Sequence, residues 1–174
     1  MSQAKKGKVW KYGDDINTDV IFPGRYTYKL MDPAEMASHA LEDLDPDFAR
    51  HVKPGDVIVA GKNFGCGSSR EQAAACLKHA GVQAVVAKSF ARIYFRNAIN
   101  LGLAVLQCPE AADALRTGDE IEIDLAAGKV VSGSRVFDFF PLPESVLGIV
   151  AAGGLIAYTK AKLTAGSSDS GKGD

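Results

Sequence analysis

The sequence is sparing with cysteine, histidine and tryptophan: three, three and one among 174 residues. Cys66, Cys76 and Cys108 are widely spaced, odd in number and form no C-x-x-C pair. They compose neither a zinc site nor a self-contained iron–sulfur site, so we expect no metal ligand in this chain. Charge of neither sign is in excess. Lys and Arg total 20 against 21 Asp and Glu, a net −1, which gives no electrostatic reason to expect nucleic acid or an anionic membrane as partner. No apolar run approaches the ~20 residues that span a bilayer. The opening Met-Ser-Gln-Ala-Lys-Lys-Gly-Lys carries no apolar stretch after its basic residues, as a secretory signal would. A cytoplasmic protein with no membrane role is the expectation.

What is present is the material of a globular domain, with 47% hydrophobic and 24% charged residues. We expect one folded domain over residues 1–163 and a disordered, solvated tail over residues 164–174, where Gly, Ser and Asp dominate. Lys8-Val9-Trp10-Lys11-Tyr12 reads as a strand, and Gly13-Asp14-Asp15 as the turn that ends it. Asp32-Pro33 followed by Glu35 marks a helix start, predicting a helix over residues 34–44. The clearest pattern follows. Val57-Ile58-Val59-Ala60 is a short buried strand, and residues 68–80 read as a helix with Ala73, Cys76, Leu77 and Ala80 on one face and Gly81 as its stop. A strand over residues 82–87, a second helix capped by Ser89 and ended by Gly102, and a strand over residues 103–107 complete a parallel βαβαβ unit. Residues 120–125 and 129–131 suggest a hairpin, residues 135–137 a further strand, and residues 144–152 a short helix.

The loop Gly65-Cys66-Gly67-Ser68-Ser69-Arg70-Glu71, between a strand and a helix, carries the most chemistry. Its glycines let backbone approach a ligand closely, and a helix start presents unpaired N–H groups and the positive end of a dipole. Two hydroxyls and the Arg70 guanidinium suit a carboxylate held bidentately. A plain helix cap by Ser68 or Ser69, with Arg70 in solvent, fits the same residues. A phosphate-binding P-loop does not, because Lys-Ser or Lys-Thr is missing after the second glycine. A dinucleotide site does not, because Ala87-Lys88 stands where an acidic residue is needed. A nucleophile elbow does not, because the only histidine after Ser68 is His79, on the same helix.

Three runs, in order along the chain, resemble the swivelling domain of the aconitase superfamily. Asp15-Ile16-Asn17-Thr18-Asp19-Val20-Ile21 resembles its amino-terminal active-site loop, and Gly61-Lys62-Asn63-Phe64-Gly65-Cys66-Gly67-Ser68-Ser69-Arg70-Glu71 its signature loop. Lys88-Ser89-Phe90-Ala91-Arg92-Ile93 and Asn97-Ala98-Ile99-Asn100-Leu101-Gly102 match its second strand–helix unit. The resemblance covers about residues 7–160 and is strongest to the free-standing small-subunit branch. It implies an α/β fold: a swivelling β/β/α domain with a mixed sheet around the βαβαβ core.

The same resemblance implies a hydro-lyase that works only with a large subunit. The large subunit would bind a [4Fe-4S] cluster that this chain does not bind itself. The substrate implied is a small 2-hydroxy dicarboxylic acid, foremost isopropylmalate in leucine biosynthesis. Homoaconitate, 2-methylmalate and 2,3-dimethylmalate dehydration are the rivals within the branch, and a non-catalytic anion-binding module is the rival outside it. Position by position, Ser68 matches the family's catalytic base and Asp19 an active-site carboxylate that assists proton handling. Ser69 and Arg70 match residues that hold substrate carboxylate. The loop from Pro23 to Asp32, which in the family meets the substrate's distinguishing group, offers Arg25, Tyr26 and Tyr28. The chain departs from the pattern in three places. Tyr26-Thr27-Tyr28 stands where isopropylmalate-type chains commonly show Tyr-Leu, Met31 near the place where fused aconitases carry arginine, and Gln72 where many relatives have histidine.

Overall fold

Strands that are apolar at every position suit a sheet covered on both faces. Val57–Ala60 and Ala84–Ala87 are such runs, and in a computed structural model, which describes residues 5–169, both are strands with all four residues buried. The order of elements is β1 (Lys6–Lys11), α1 (Thr18–Ile21), α2 (Pro33–Ser38), α3 (Phe48–His51), β2 (Val57–Ala60), α4 (Gln72–His79), β3 (Ala84–Ala87), α5 (Arg92–Asn100), β4 (Ala104–Gln107), α6 (Pro109–Ala114), β5 (Glu120–Asp124), β6 (Lys129–Ser132), β7 (Arg135–Asp138), α7 (Glu144–Ala151) and α8 (Leu155–Asp169). The strands form one sheet in the order β4-β3-β2-β1-β5-β6-β7. β1 is the seam: it runs parallel to β2 and antiparallel to β5. The mixed α/β architecture and its parallel core agree with the sequence reading.

Alternation along the central strands sends side chains to two layers. Val57, Val59, Val86 and Leu106 pack with Ala111, Ala112 and Leu115 around α6 and with Ile121 and Val130 of the hairpin half. Ile58, Val85 and Val105 pack on the other face with Phe48, Ala73, Leu77, Tyr94 and Ala98. Each fully buried Val, Leu, Ile or Phe contributes roughly 1.5–3 kcal/mol relative to exposure. The seam is pinned by one buried acid. Asp56, 5% exposed, accepts hydrogen bonds from the Lys8 N–H (2.9 Å), Trp10 Nε1 (3.0 Å) and the Lys53 N–H (3.0 Å).

Three local expectations are corrected. The helix expected over residues 34–44 is α2 alone. Asp32 caps it as predicted, accepting from the Glu35 N–H at 2.8 Å. It stops early because Leu41 is fully buried at φ 56° and donates its N–H to the Ile21 carbonyl at 2.8 Å, a tertiary bond that no helix could spare. α4 begins at Gln72, not at residue 68, and α5 begins at Arg92 with Ala91 as its cap. Ser89 caps no helix; its Oγ accepts the Asn63 N–H at 2.8 Å. Helix α8 runs to Asp169, into the segment expected as a tail. Thr164 and Ser167 hydroxyls donate to the carbonyls of Lys160 and Leu163, and Tyr158 anchors the helix against Gly148, where a Cβ would lie 2.7 Å from the ring. The rest of the expected tail, residues 170–174, lies outside the described residues. No single helix among the described residues is long and apolar enough to cross a membrane.

Candidate active site

The site lies where the chain leaves the carboxyl ends of β1 and β2, the usual place for ligands in open α/β sheets. The two connections stay side by side after the strands end. The Gly65 N–H donates to the Ile16 carbonyl at 2.7 Å, and the Thr18 N–H to the Cys66 carbonyl at 2.9 Å. Thr18, 2% exposed, adds a side-chain tie from Oγ1 to the Ser68 carbonyl at 2.9 Å. Gly65 is indispensable to this geometry. It sits at φ 82°, and a Cβ there would fall 2.1 Å from the ring of buried Tyr94.

Asn17 caps α1, its Oδ1 accepting the Val20 N–H at 2.9 Å, and so presents Asp19 in the first turn with its side chain two-thirds exposed. Arg70 reaches Asp19 from the other loop. Its guanidinium donates to Asp19 Oδ1, to Thr27 Oγ1 at 2.7 Å and to the Phe22 carbonyl at 2.7 Å. The Arg70 side chain is only 11% exposed, and its Nε is buried without a hydrogen-bond partner among the described residues. Gly24 makes room for the pair: a Cβ would stand 3.1 Å from Asp19 Oδ1 and 3.5 Å from Arg70 Nη1. Ser68 and Ser69 are exposed beside it. Asp19 and Arg70 are thus in contact, with Ser68 and Ser69 exposed on the stretch of chain that leads into Arg70.

The helix tip is not where the sequence put it. With α4 starting at Gln72, Ser68 precedes the helix rather than opening it. The dipole effect fades within one turn, so Ser68 draws less from it than expected. Arg25, Tyr26 and Tyr28 also part company with the group around Arg70. Arg25 pairs with Glu42 and with Asp43 (2.9 Å) and lies over the Tyr26 ring. Hydrogen bonding to Asp43 first, then to Tyr26 and Glu42, pushes its already high pKa further up. Tyr26 donates to Glu42 at 2.9 Å and stacks on His39. Tyr28 is 99% exposed. Thr18, Gly24 and Thr27, which build the Arg70 cradle, were given no role by the sequence reading, since their function exists only through contacts some 40 to 50 residues away in the chain.

No group of three or more His, Cys, Asp or Glu among the described residues could hold a metal ion. Cys76 and Cys108 are buried, and burial pushes both thiols up, away from the thiolate that a cluster needs.

Fold and loops together define a class. The sequence profile of the family described as Aconitase C-terminal domain matches residues 26–111. Relatives extend the match to nearly the whole chain. The 3-isopropylmalate dehydratase small subunit of Caldicellulosiruptor saccharolyticus is 52% identical, over 95% of this chain and 96% of its own length. That of Aquifex aeolicus is 50% identical, over 94% and 98%. The crystal structure of 3-isopropylmalate dehydratase from Methanocaldococcus jannaschii superposes with a TM-score of 0.89 at 44% identity, covering 96% of this chain and 99% of that one. The chain belongs to the family of 3-isopropylmalate dehydratase small subunits.

Proposed function

We propose that this chain is the small subunit of a 3-isopropylmalate dehydratase, acting in leucine biosynthesis in the cytoplasm with a large subunit that carries a [4Fe-4S] cluster. The observation that supports it most is Arg70: a nearly buried guanidinium, held between two loops and aimed at Asp19, beside two exposed serines. Arg70 is a fork for a substrate carboxylate, with Ser69 as a further donor. An incoming carboxylate competes with Asp19 for the guanidinium and frees Asp19 to handle a proton. Ser68 takes the proton from the carbon next to a carboxylate. The electron pair left on that carbon forms the alkene as the carbon–oxygen bond breaks at the neighbouring carbon, and the departing hydroxide takes a proton handed on through Asp19 and leaves as water. Water returns with the opposite regiochemistry to give the isomer. The Ser68 hydroxyl is far too weak a base unaided, and Arg70, two residues on, supplies the positive charge from this chain. Arg25 and Tyr26, fixed by Glu42, Asp43 and His39, brace the loop that carries Tyr28 to the substrate's distinguishing group.

The test is reconstitution with the large subunit, assayed for hydration of the isopropylmalate alkene, with citraconate and dimethylmaleate as competing substrates. Ser68→Ala is expected to lower kcat by roughly 10²–10⁴-fold, with the cluster absorbance of the complex unchanged. Unchanged turnover removes Ser68 from the chemistry. Preference for citraconate or dimethylmaleate over the isopropylmalate alkene would move the assignment to another dehydratase of the branch.

A further inference from the structure

Both site loops bend at the same level, and the bend is built from residues that the reaction does not use. Parallel pairing places Lys11 opposite Val59, and continuing that register puts Asp15 opposite Asn63. Among the described residues only three that are not glycine have positive φ, and these are two of them, at 53° and 59°. Their side chains meet, Asn63 Nδ2 donating to Asp15 Oδ1 at 3.1 Å. Backbone ties surround them: Gly61 N–H to the Gly13 carbonyl (3.0 Å), Asp15 N–H to the Lys62 carbonyl (2.8 Å) and Lys62 N–H to Asp14 Oδ1 (2.7 Å). Beyond the bend the pairing resumes with Asn17 opposite Cys66, one residue out of step with the strands. The extra residue is taken up in the second loop, where Gly65 is left-handed.

Left-handed backbone is unfavourable for a residue with a Cβ, least so for Asn and Asp, and it persists only where surroundings impose it. A kink in one strand alone would splay the pair. Two kinks at one level bend both together and preserve the hydrogen bonds on the far side, from Gly65 to Ile16 and from Thr18 to Cys66. We propose that Asp15 and Asn63 are positioning residues: their matched left-handed kink sets the register at which the loop carrying Asp19 is tied to the loop carrying Ser68, through the Gly65–Ile16 and Thr18–Cys66 hydrogen bonds. The proposal rests on the assignment of Asp19 and Ser68 to the reaction, but the kink itself has a readout that does not.

The test compares three variants. Asn63→Gly keeps the backbone conformation and loses the side-chain bond; Asn63→Ala loses both; Asp15→Asn keeps an acceptor and tolerates the conformation. In the reconstituted complex, Asn63→Ala is expected to lower kcat roughly 10- to 100-fold, with KM within about twofold. Asn63→Gly is expected to fall between it and the parent, and Asp15→Asn to stay near the parent. In the full chain alone, amide hydrogen exchange at Gly65 and Thr18 should quicken in the same order. Exchange at those amides unchanged in Asn63→Ala overturns the proposal. So does a kcat loss that disappears when activity is expressed per folded molecule. If exchange quickens in the expected order while Ser68→Ala retains full turnover, the kink stands and the assignment of Ser68 falls.

Discussion

The sheet joins four parallel strands to three antiparallel ones, and every candidate residue belongs to the parallel half. The reason is the length of the connections. A parallel pair needs a crossover, so residues 12–56 lie between β1 and β2 and residues 61–83 between β2 and β3, long enough to carry loops, caps and helices. The antiparallel half turns in residues 125–128 between β5 and β6 and in residues 133–134 between β6 and β7. Such tight turns leave no room for an arginine to reach back across the fold. Burial differs in the same sense: β2 and β3 are buried throughout, whereas β5 alternates and β7 is mostly exposed. One half holds every candidate site residue, and the other covers a layer of the core.

Substitutions can break that contrast. Gly65→Ala is expected to have the largest effect, because both its left-handed φ and the Tyr94 ring forbid a methyl. Turnover of the reconstituted complex should drop by about 100-fold or more, and unfolding free energy should fall by about 2–4 kcal/mol. A fully active Gly65→Ala enzyme would mean that the loop pair is not the rigid element described. Ile121→Ala, at a buried position of β5, should cost about 2–4 kcal/mol of stability by denaturant titration. Its kcat per folded complex should stay within about twofold of the parent. A specific loss of kcat there would give the antiparallel half a part in the reaction.

The smallest effect is expected at Glu42. Burial works to raise its pKa, but hydrogen bonds from His39, Tyr26 and Arg25 outweigh burial and hold the carboxyl below its ordinary 4.5. A depressed folded pKa contributes stability that is present above the unfolded value and is lost as pH falls through the folded one. Glu42→Gln should therefore be slightly less stable than the parent at pH 7, by under about 1 kcal/mol, and the gap should close as pH falls through the depressed folded pKa, below 4.5. Melting curves across pH 3–7 check this, and a gap that widens in acid would contradict the sign.

The parallel core was legible because its signals are local: apolar runs of strand length, small-residue helices and glycine stops recur in step. The cap of α2 at Asp32 was legible for the same reason. The start of α4 was not. Ser68 and Ser69 look like caps, but Thr18 engages the Ser68 carbonyl and Arg70 is drawn toward Asp19, Phe22 and Thr27, which holds the segment out of the helix until Gln72. Tertiary hydrogen bonds overrode propensity. The fate of Arg25 was hidden likewise, because its carboxylate partners lie 17 and 18 residues on, past a helix whose end the pattern misplaced. α1 and α3, four residues each, are too short to show any period. Of the candidate residues, Asp19 and Arg70 of the two signature runs meet, whereas Arg25 and Tyr26 of the loop between Pro23 and Asp32 are tied to Glu42, Asp43 and His39 instead.

The buried acid at the seam has a practical consequence. Asp56 holds the indole of Trp10, the chain's single tryptophan, with Phe48 edge-on at 5.1 Å. Intrinsic fluorescence excited at the indole will therefore report the melting of the β1–β2 junction and not a change confined to the loops around Asp19 and Arg70. An optical titration with substrate needs a second fluorophore, attached beside Tyr28.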